Sequence, residues 1–297
     1  MTIRIGTRGS TLALIQAQIV EKALQSKFPG TESSIVKVKT TGDIIKDRPL
    51  YDIGGKGLFI KEIEEMLIRG AIDVAVHSVK DVPGYYSEDL EIPCILPRSS
   101  AADVFVSFEY SNIASLPTGS RVGTSSVRRR VQLLAMRPDL EVVPIRGNVD
   151  TRLSKVHRRE YAGIILAEAG LDRISKREVI SEILPTDVML GAVGQGAICI
   201  QCRKSDDAMI KILQELSHKR SFMEVLAERS FLRAVNGSCD TPLAAKAQYL
   251  TDDLMNMKCM LAENNGRMVF SERTFHECDA EKVGTEMGEE LKGRLSS

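Results

Sequence analysis

The chain has 297 residues, 43% of them apolar and 27% charged, with Lys+Arg and Asp+Glu both totalling 40. That length builds two or three domains with real cores, and the composition is ordinary for a globular protein. Zero net charge excludes a global basic field for nucleic acid. No stretch reaches the ~18 apolar residues of a membrane helix, and the N-terminus has no leader-like apolar run, so a cytoplasmic protein is expected.

Ile3–Ile5 reads as a short strand and Gly6-Thr7-Arg8-Gly9-Ser10 as a glycine-bearing turn. A helix follows with Leu12, Ile15, Ile19, Ala23 and Leu24 on one face, stopped by Pro29-Gly30. Ser34–Lys39 alternates as a strand, and a polar loop then leads to Gly54-Gly55-Lys56-Gly57. Three glycines around Lys56 fit an anion-binding loop or lid, and fit a plain flexible turn equally well. After a helical segment over 61–69, Ile72–Val76 forms an apolar run that ends in His77-Ser78-Val79-Lys80-Asp81 and is stopped by Pro83. A buried strand ending in charge is where open α/β sheets hold ligands. The alternative is an ordinary strand exit with solvated charges.

From Asp103 the pattern restarts. Arg121-Val122-Gly123-Thr124 echoes Arg4-Ile5-Gly6-Thr7, each a strand, a Gly-Thr turn and then a helix, which predicts two α/β lobes of similar plan. In the second echo Thr124, Ser125 and Ser126 supply hydroxyls, and Arg128 and Arg129 supply charge, at a helix start able to hold anions. A strand over 142–145 runs into Arg146-Gly147-Asn148, with Asn148 as N-cap of a helix bearing Arg152. Gly163–Leu166 reads as a buried strand, followed by a segment with Arg173. Gly191–Ala197, containing Gln195, lacks the G-x-G-x-x-G order of a dinucleotide site and reads as a hinge or close backbone approach. Ile198–Gln201 reads as a strand returning to the first lobe. A helix over 221–235, three strands near 244–249, 255–261 and 268–274, and a last helix from Asp279 form a small α+β domain.

Six scattered cysteines argue against a disulfide framework. Cys199 and Cys202 form a single C-x-x-C inside a strand, which reads as structural. His77, His157, His218 and His276 are too dispersed for a metal cluster, so no metal is expected. His77 and Ser78 are strand neighbours that point to opposite faces, and so make no dyad. Arg128–Arg130 without interleaved aromatics is a poor nucleic-acid patch. Cys239 differs from the other cysteines, lying in a Gly-Ser/Asp-Thr-Pro loop away from apolar periodicity, where an accessible thiol competes with the usual inert one.

Seven motifs, Arg4–Ser10, Gly54–Phe59, His77–Pro83, Gly123–Arg129, Arg146–Arg152, Gly194–Ala197 and Gly237–Cys239, resemble those of the porphobilinogen deaminases in order and spacing over nearly the whole chain. The resemblance implies an α/β fold of two similar doubly wound lobes, like type II periplasmic binding proteins, plus a small α+β C-terminal domain. The domains would be 1–98 with 196–216, 99–195 and 217–297. It implies a covalent dipyrromethane cofactor on Cys239 and a transferase that joins four porphobilinogen molecules head to tail, releasing ammonia, until water frees linear hydroxymethylbilane for haem synthesis. Asp81 matches the catalytic carboxylate. Arg8, Ser10, Lys56, Ser78, Lys80, Thr124, Ser125, Ser126, Arg128, Arg129, Arg146, Gly147, Asn148, Arg152, Arg173 and Gln195 match cofactor- and substrate-binding positions. The residue types suit this work, because pyrroles bearing acetate and propionate need guanidinium forks, and a cationic pyrrole needs a carboxylate. A monomer without nucleic-acid or membrane partners is implied. Asp52 stands where relatives carry lysine, and Ser238 replaces a glycine. A two-lobed anion-binding protein without chemistry is the competing reading; it leaves Asp81 and Cys239 unexplained.

Overall fold

The computed structural model describes residues 2–44, 60–238, 240–263 and 265–296. The chain divides into two compact units, residues 1–99 with 197–223, and residues 100–196 with 224–297.

In the first unit, β1 (Thr2–Arg8), α1 (Thr11–Lys27), β2 (Glu32–Val38), a short α2 (Thr41–Ile44), α3 (Lys61–Ile68), β3 (Val74–Ser78) and β4 (Leu90–Ile95) precede the excursion into the second. In the second unit, β5 (Asp103–Val106), β6 (Arg121–Gly123), α4 (Val127–Met136), β7 (Glu141–Val143), α5 (Val149–His157), β8 (Gly163–Ala167), α6 (Glu168–Arg173) and β9 (Glu182–Leu184) follow. The chain then returns through β10 (Ile198–Arg203), α7 (Asp207–Leu216) and α8 (Lys219–Val235), and ends with β11 (Leu243–Tyr249), β12 (Leu254–Ala262), β13 (Met268–His276) and α9 (Ala280–Ser296).

The first sheet has the order β2-β1-β3-β10-β4 and the second β7-β6-β8-β5-β9, each with its first three strands parallel and β10 or β5 antiparallel. Strand alternation explains why helices cover both faces. Val74 and Val76 pack with Val20 and Leu24 of α1 and Met209 and Leu213 of α7. Ala75 points the other way, onto Ile63 and Leu67 of α3. In the second sheet Ile165 joins Leu133 of α4, while Ile164 and Leu166 join Leu153 and Val156 of α5. The third sheet is an antiparallel meander, β11-β12-β13, with Met287 and Leu291 of α9 buried. Gly284 lets α9 approach α8, because a Cβ there would stand 2.2 Å from the Ala227 carbonyl oxygen.

The expected strand over 142–145 stops at Val143, since Pro144 has no N–H for the ladder. α2, β4, β9 and α7 were not anticipated, α2 being a single turn inside what read as polar loop. β4 carries Pro93 and β9 is three residues long, so neither gives a clear period. Cys199 and Cys202 are fully buried in β10, as a structural pair would be, and burial pushes the Cys202 thiol up to about 12.

Candidate active site

The candidate residues fall into two groups, one in each unit. In the first unit β1 ends at Arg8, and Ser10 caps α1, its Oγ accepting from Ala13 N at 3.3 Å. β3, parallel to β1, ends at Ser78 and turns through one 3-10 turn, Val79–Asp81. Two adjacent parallel strands therefore deliver their C-terminal ends to one edge, where Arg8, Ser10, His77, Ser78 and Asp81 line a single pocket. Ser78 Oγ accepts from Gln16 Nε2 at 2.7 Å, which fixes the hydroxyl beneath that pocket. His77 is 5% exposed and its Nε2 is buried without a hydrogen-bond partner. Burial drives its pKa down to about 4, with Gln201 offsetting only part of that and Arg8 adding to it. The imidazole is neutral at pH 7. Lys80 and Asp81 are half-buried in the turn.

In the second unit the loop after β6 is pinned from several sides. Thr124 N donates to Val143 O at 2.9 Å. The Ser125 hydroxyl donates to Ile145 O at 2.7 Å and accepts from Ile145 N at 3.1 Å. Ser126 caps α4 by accepting from Arg129 N at 3.4 Å. Asn148 caps α5 as expected, accepting from Thr151 N at 2.9 Å. Gly147 has φ +113°, and a Cβ there would lie 2.6 Å from Thr151, so only glycine fits that turn without strain.

The arginines have different surroundings. Arg128 and Arg129 both reach the fully buried Asp103, through Nη1–Oδ2 at 2.8 Å and Nη2–Oδ1 at 2.7 Å. Burial works to raise the Asp103 carboxyl, but the two guanidiniums outweigh it and hold the group below the usual carboxylate range. Arg128 Nη1 also donates to Leu190 O at 2.6 Å, and Arg129 Nη1 to Ile165 O at 3.0 Å. Arg129 Nε is buried with no hydrogen-bond partner. Arg152 is pushed down to about 10 by burial and then by the positive charges of Arg129 and Arg146, while its Nε donates to Gly147 O at 2.8 Å. Burial also lowers Arg173, whose Nη2 donates to Gly196 O at 2.6 Å. Gln195 is fully buried and donates to Ala101 O and Asp103 Oδ1, both at 2.8 Å.

Sequence reasoning brought together most of each group but overlooked Asp103. Its signal was a charged residue opening the apolar run Val104-Phe105-Val106. Lys56 and Cys239, together with Asp52 and the Gly54–Gly57 loop, lie outside the described residues. Among the described residues there is no cluster able to hold a metal ion, and no helix is long and apolar enough to cross a membrane.

Crowded, partly desolvated guanidiniums with an unsatisfied buried donor mark a protein built to hold a polyanionic small molecule. The other unit carries Asp81 at the C-terminal edge of its sheet. Residues 3–211 match the porphobilinogen deaminase dipyrromethane cofactor-binding domain, and residues 222–293 that family's C-terminal domain. The chain belongs to the porphobilinogen deaminase family. It is 56% identical to the porphobilinogen deaminase of Ehrlichia chaffeensis, over 100% of this chain and 99% of that one. It is 51% identical to that of a Wolbachia species from Drosophila simulans, over 99% of each chain. It is 44% identical to the chloroplastic enzyme of Oryza sativa, over 98% of this chain and 84% of that one. A likeness of TM-score 0.46 to the methionine-binding protein MetQ, 13% identical over 77% of this chain and 94% of that one, adds nothing to the evidence of the sheets themselves.

Proposed function

We infer that this chain is the transferase that condenses four porphobilinogen molecules head to tail, with loss of ammonia, and releases hydroxymethylbilane. The observation that carries this reading is the positive group of the second unit: Arg129 with an orphaned Nε, beside Arg146 and an Arg152 whose charge is disfavoured as built. Added carboxylates relieve that mutual repulsion, and the acetate and propionate of each pyrrole are carboxylates. The donor set therefore fits dipyrromethane, which when bound supplies the pyrrole carbon on which the product is built. Arg129, Arg146, Arg152 and Arg173 hold carboxylates, and Arg128 contributes through its backbone N–H in the first turn of α4. Ser126 and Asn148 set those helix starts, while Thr124, Ser125, Gly147 and Gln195 fix the loops that carry them.

In the first unit Arg8, Ser10 and Lys80 take carboxylates in the same way, and Ser78 holds the pocket floor. Asp81 carries the chemistry. Its carboxylate accepts from the substrate pyrrole N–H and opposes the positive charge that spreads over the ring as ammonia leaves. It then accepts the proton released when the new carbon–carbon bond closes.

Cys239 is the attachment residue and Lys56 an additional carboxylate contact, with residues 217–297 forming a domain of their own. The protein works as a cytoplasmic monomer. Intact mass of the denatured protein tests the reading. Wild type should exceed its sequence mass by one dipyrromethane and give a positive pyrrole colour reaction, whereas Cys239→Ser should have its bare mass and no activity. A full adduct on Cys239→Ser would overturn the attachment, and an adduct-free but active wild type would overturn the function.

A further inference from the structure

Asp103 has a counterpart in the first unit, and the two differ in kind. Asp103 pairs with Ala167 at the end of β8 as Ile198 pairs with Ser78 at the end of β3. An apolar residue thus fills this place where the following helix has no arginines in its first turn. Where α4 opens with Arg128 and Arg129, a fully buried carboxylate stands instead. Its Oδ1 accepts from Arg129 Nη2 and Gln195 Nε2, at 2.7 and 2.8 Å, and its Oδ2 from Arg128 Nη1 at 2.8 Å. With Nη2 on Asp103 and Nη1 on Ile165 O, the plane of the Arg129 guanidinium is fixed at two points. Its Nε is left as the unsatisfied donor.

We propose that Asp103 is a positioning residue for carboxylate binding. It orients Arg129 and, as one negative charge against two buried positive ones, keeps both arginines inside while leaving positive charge for the ligand. This rests on the arginine group having the role given it above. A residue that improves carboxylate binding without touching the reacting atoms should change KM and leave kcat nearly alone.

The test uses holoenzymes whose cofactor is verified by mass, with Tm, KM and kcat for porphobilinogen measured for Asp103→Asn, Arg128→Gln and the double variant. Asp103→Asn leaves two buried cations unbalanced and should lower Tm sharply. The double variant removes one charge of each sign, so Tm should recover while KM stays raised roughly tenfold or more, because Arg129 has lost its anchor. A double variant that folds but carries no cofactor counts with this result, provided that Arg128→Gln carries it. Wild-type KM in the double variant would make Asp103 a charge balancer only and overturn the proposal. So would a KM for Arg128→Gln alone as high as that of the double, or failure of every Asp103 variant to fold. Arg129→Leu with wild-type KM would instead overturn the arginine reading. Impairment in Arg129→Leu with none in the double would remove Asp103's role alone.

Discussion

The two five-stranded sheets are the same device with the charges set in different places. Ile5 and Gly6 pair with Val74 and Ala75 in the first, as Val122 and Gly123 pair with Gly163 and Ile164 in the second. That register aligns His77, Ser78, Lys80 and Asp81 with Leu166, Ala167, Ala169 and Gly170. In the first unit the polar residues sit at the exits of β3, the middle strand, and of its neighbour β1, and the first turn of α1, Thr11-Leu12-Ala13-Leu14, carries no charge. In the second unit the middle strand's exit carries one charge, the buried Glu168 held by Ser100 and Arg177, and the positive charges sit on the opening turns of α4 and α5. The frame is shared and the placement of charge on it is not, so the proposed division of roles rests on which exits received charge.

The sharpest way to break this comparison is at Asp81, whose counterpart Gly170 cannot replace it. Asp81→Asn keeps the shape and removes the charge, whereas Asp81→Glu keeps the charge and displaces it. Single-turnover formation of enzyme–substrate intermediates should fall by about 10²–10⁴ in Asn and by much less in Glu. Porphobilinogen binding should change less than turnover, because the positive charge appears only as the bond forms. A well-folded Asp81→Asn with near-wild-type rates would take Asp81 out of the chemistry.

His77 is the second point of contrast, since its counterpart Leu166 does not titrate. The folded pKa of His77, about 4, lies below the ordinary value of 6.5. Between those values the unfolded chain binds a proton that the folded chain refuses. Stability from this residue is therefore intact above pH 6.5 and lost as pH falls toward 4, by roughly 3 kcal/mol in all. Glu64, raised by burial and reached through Gln201, acts in the opposite direction as pH rises. Comparison with His77→Asn separates the two. Wild type should lose roughly 6–12 °C more Tm than the variant across that window. Parallel pH profiles would show that His77 is not held neutral by the fold.

The echo between lobes was readable in the sequence because Arg4-Ile5-Gly6-Thr7 and Arg121-Val122-Gly123-Thr124 repeat one pattern. Where a turn was expected, however, β1 runs on through Gly6 and Thr7 to Arg8, because those residues pair with β2. Asn148 as a cap was readable because capping is local, a side-chain oxygen and an N–H three residues on. The partner of Arg128 and Arg129 was not. Asp103 lies 25 and 26 residues away, and only strand pairing in the middle of a sheet carries it there. The same holds for Gln195, whose glycine-rich surroundings read as a hinge although its side chain is buried against Ala101 and Asp103. Local rules picked out the arginines and their caps, while the groups that hold those arginines in place, Asp103 and Gln195, emerged only from tertiary structure.

The smallest expected effect compares the caps themselves. Ser10 caps the 17-residue α1, which is secured by buried Ala13, Ala17, Val20 and Leu24. Asn148 caps the nine-residue α5, with only Leu153 and Val156 buried, and also accepts from Thr151 Oγ at 2.8 Å. Replacing a capping side chain by alanine costs about 1 kcal/mol, but the consequence depends on what the first turn carries. α5 carries Arg152, tied to Gly147 O beside the cap, so fraying there displaces a guanidinium to which the proposed function assigns a carboxylate. Asn148→Ala should lower Tm by roughly 2–4 °C and raise KM for porphobilinogen by about fivefold, the equivalent of about 1 kcal/mol. Ser10→Ala should change Tm less, because packing along α1 holds the helix without its cap, and any rise in KM there reports the hydroxyl's own contact. Equal Tm losses in the two variants would mean that packing does not distinguish the helices. An unchanged KM in a destabilised Asn148→Ala would show that the α5 start is not where carboxylates are held.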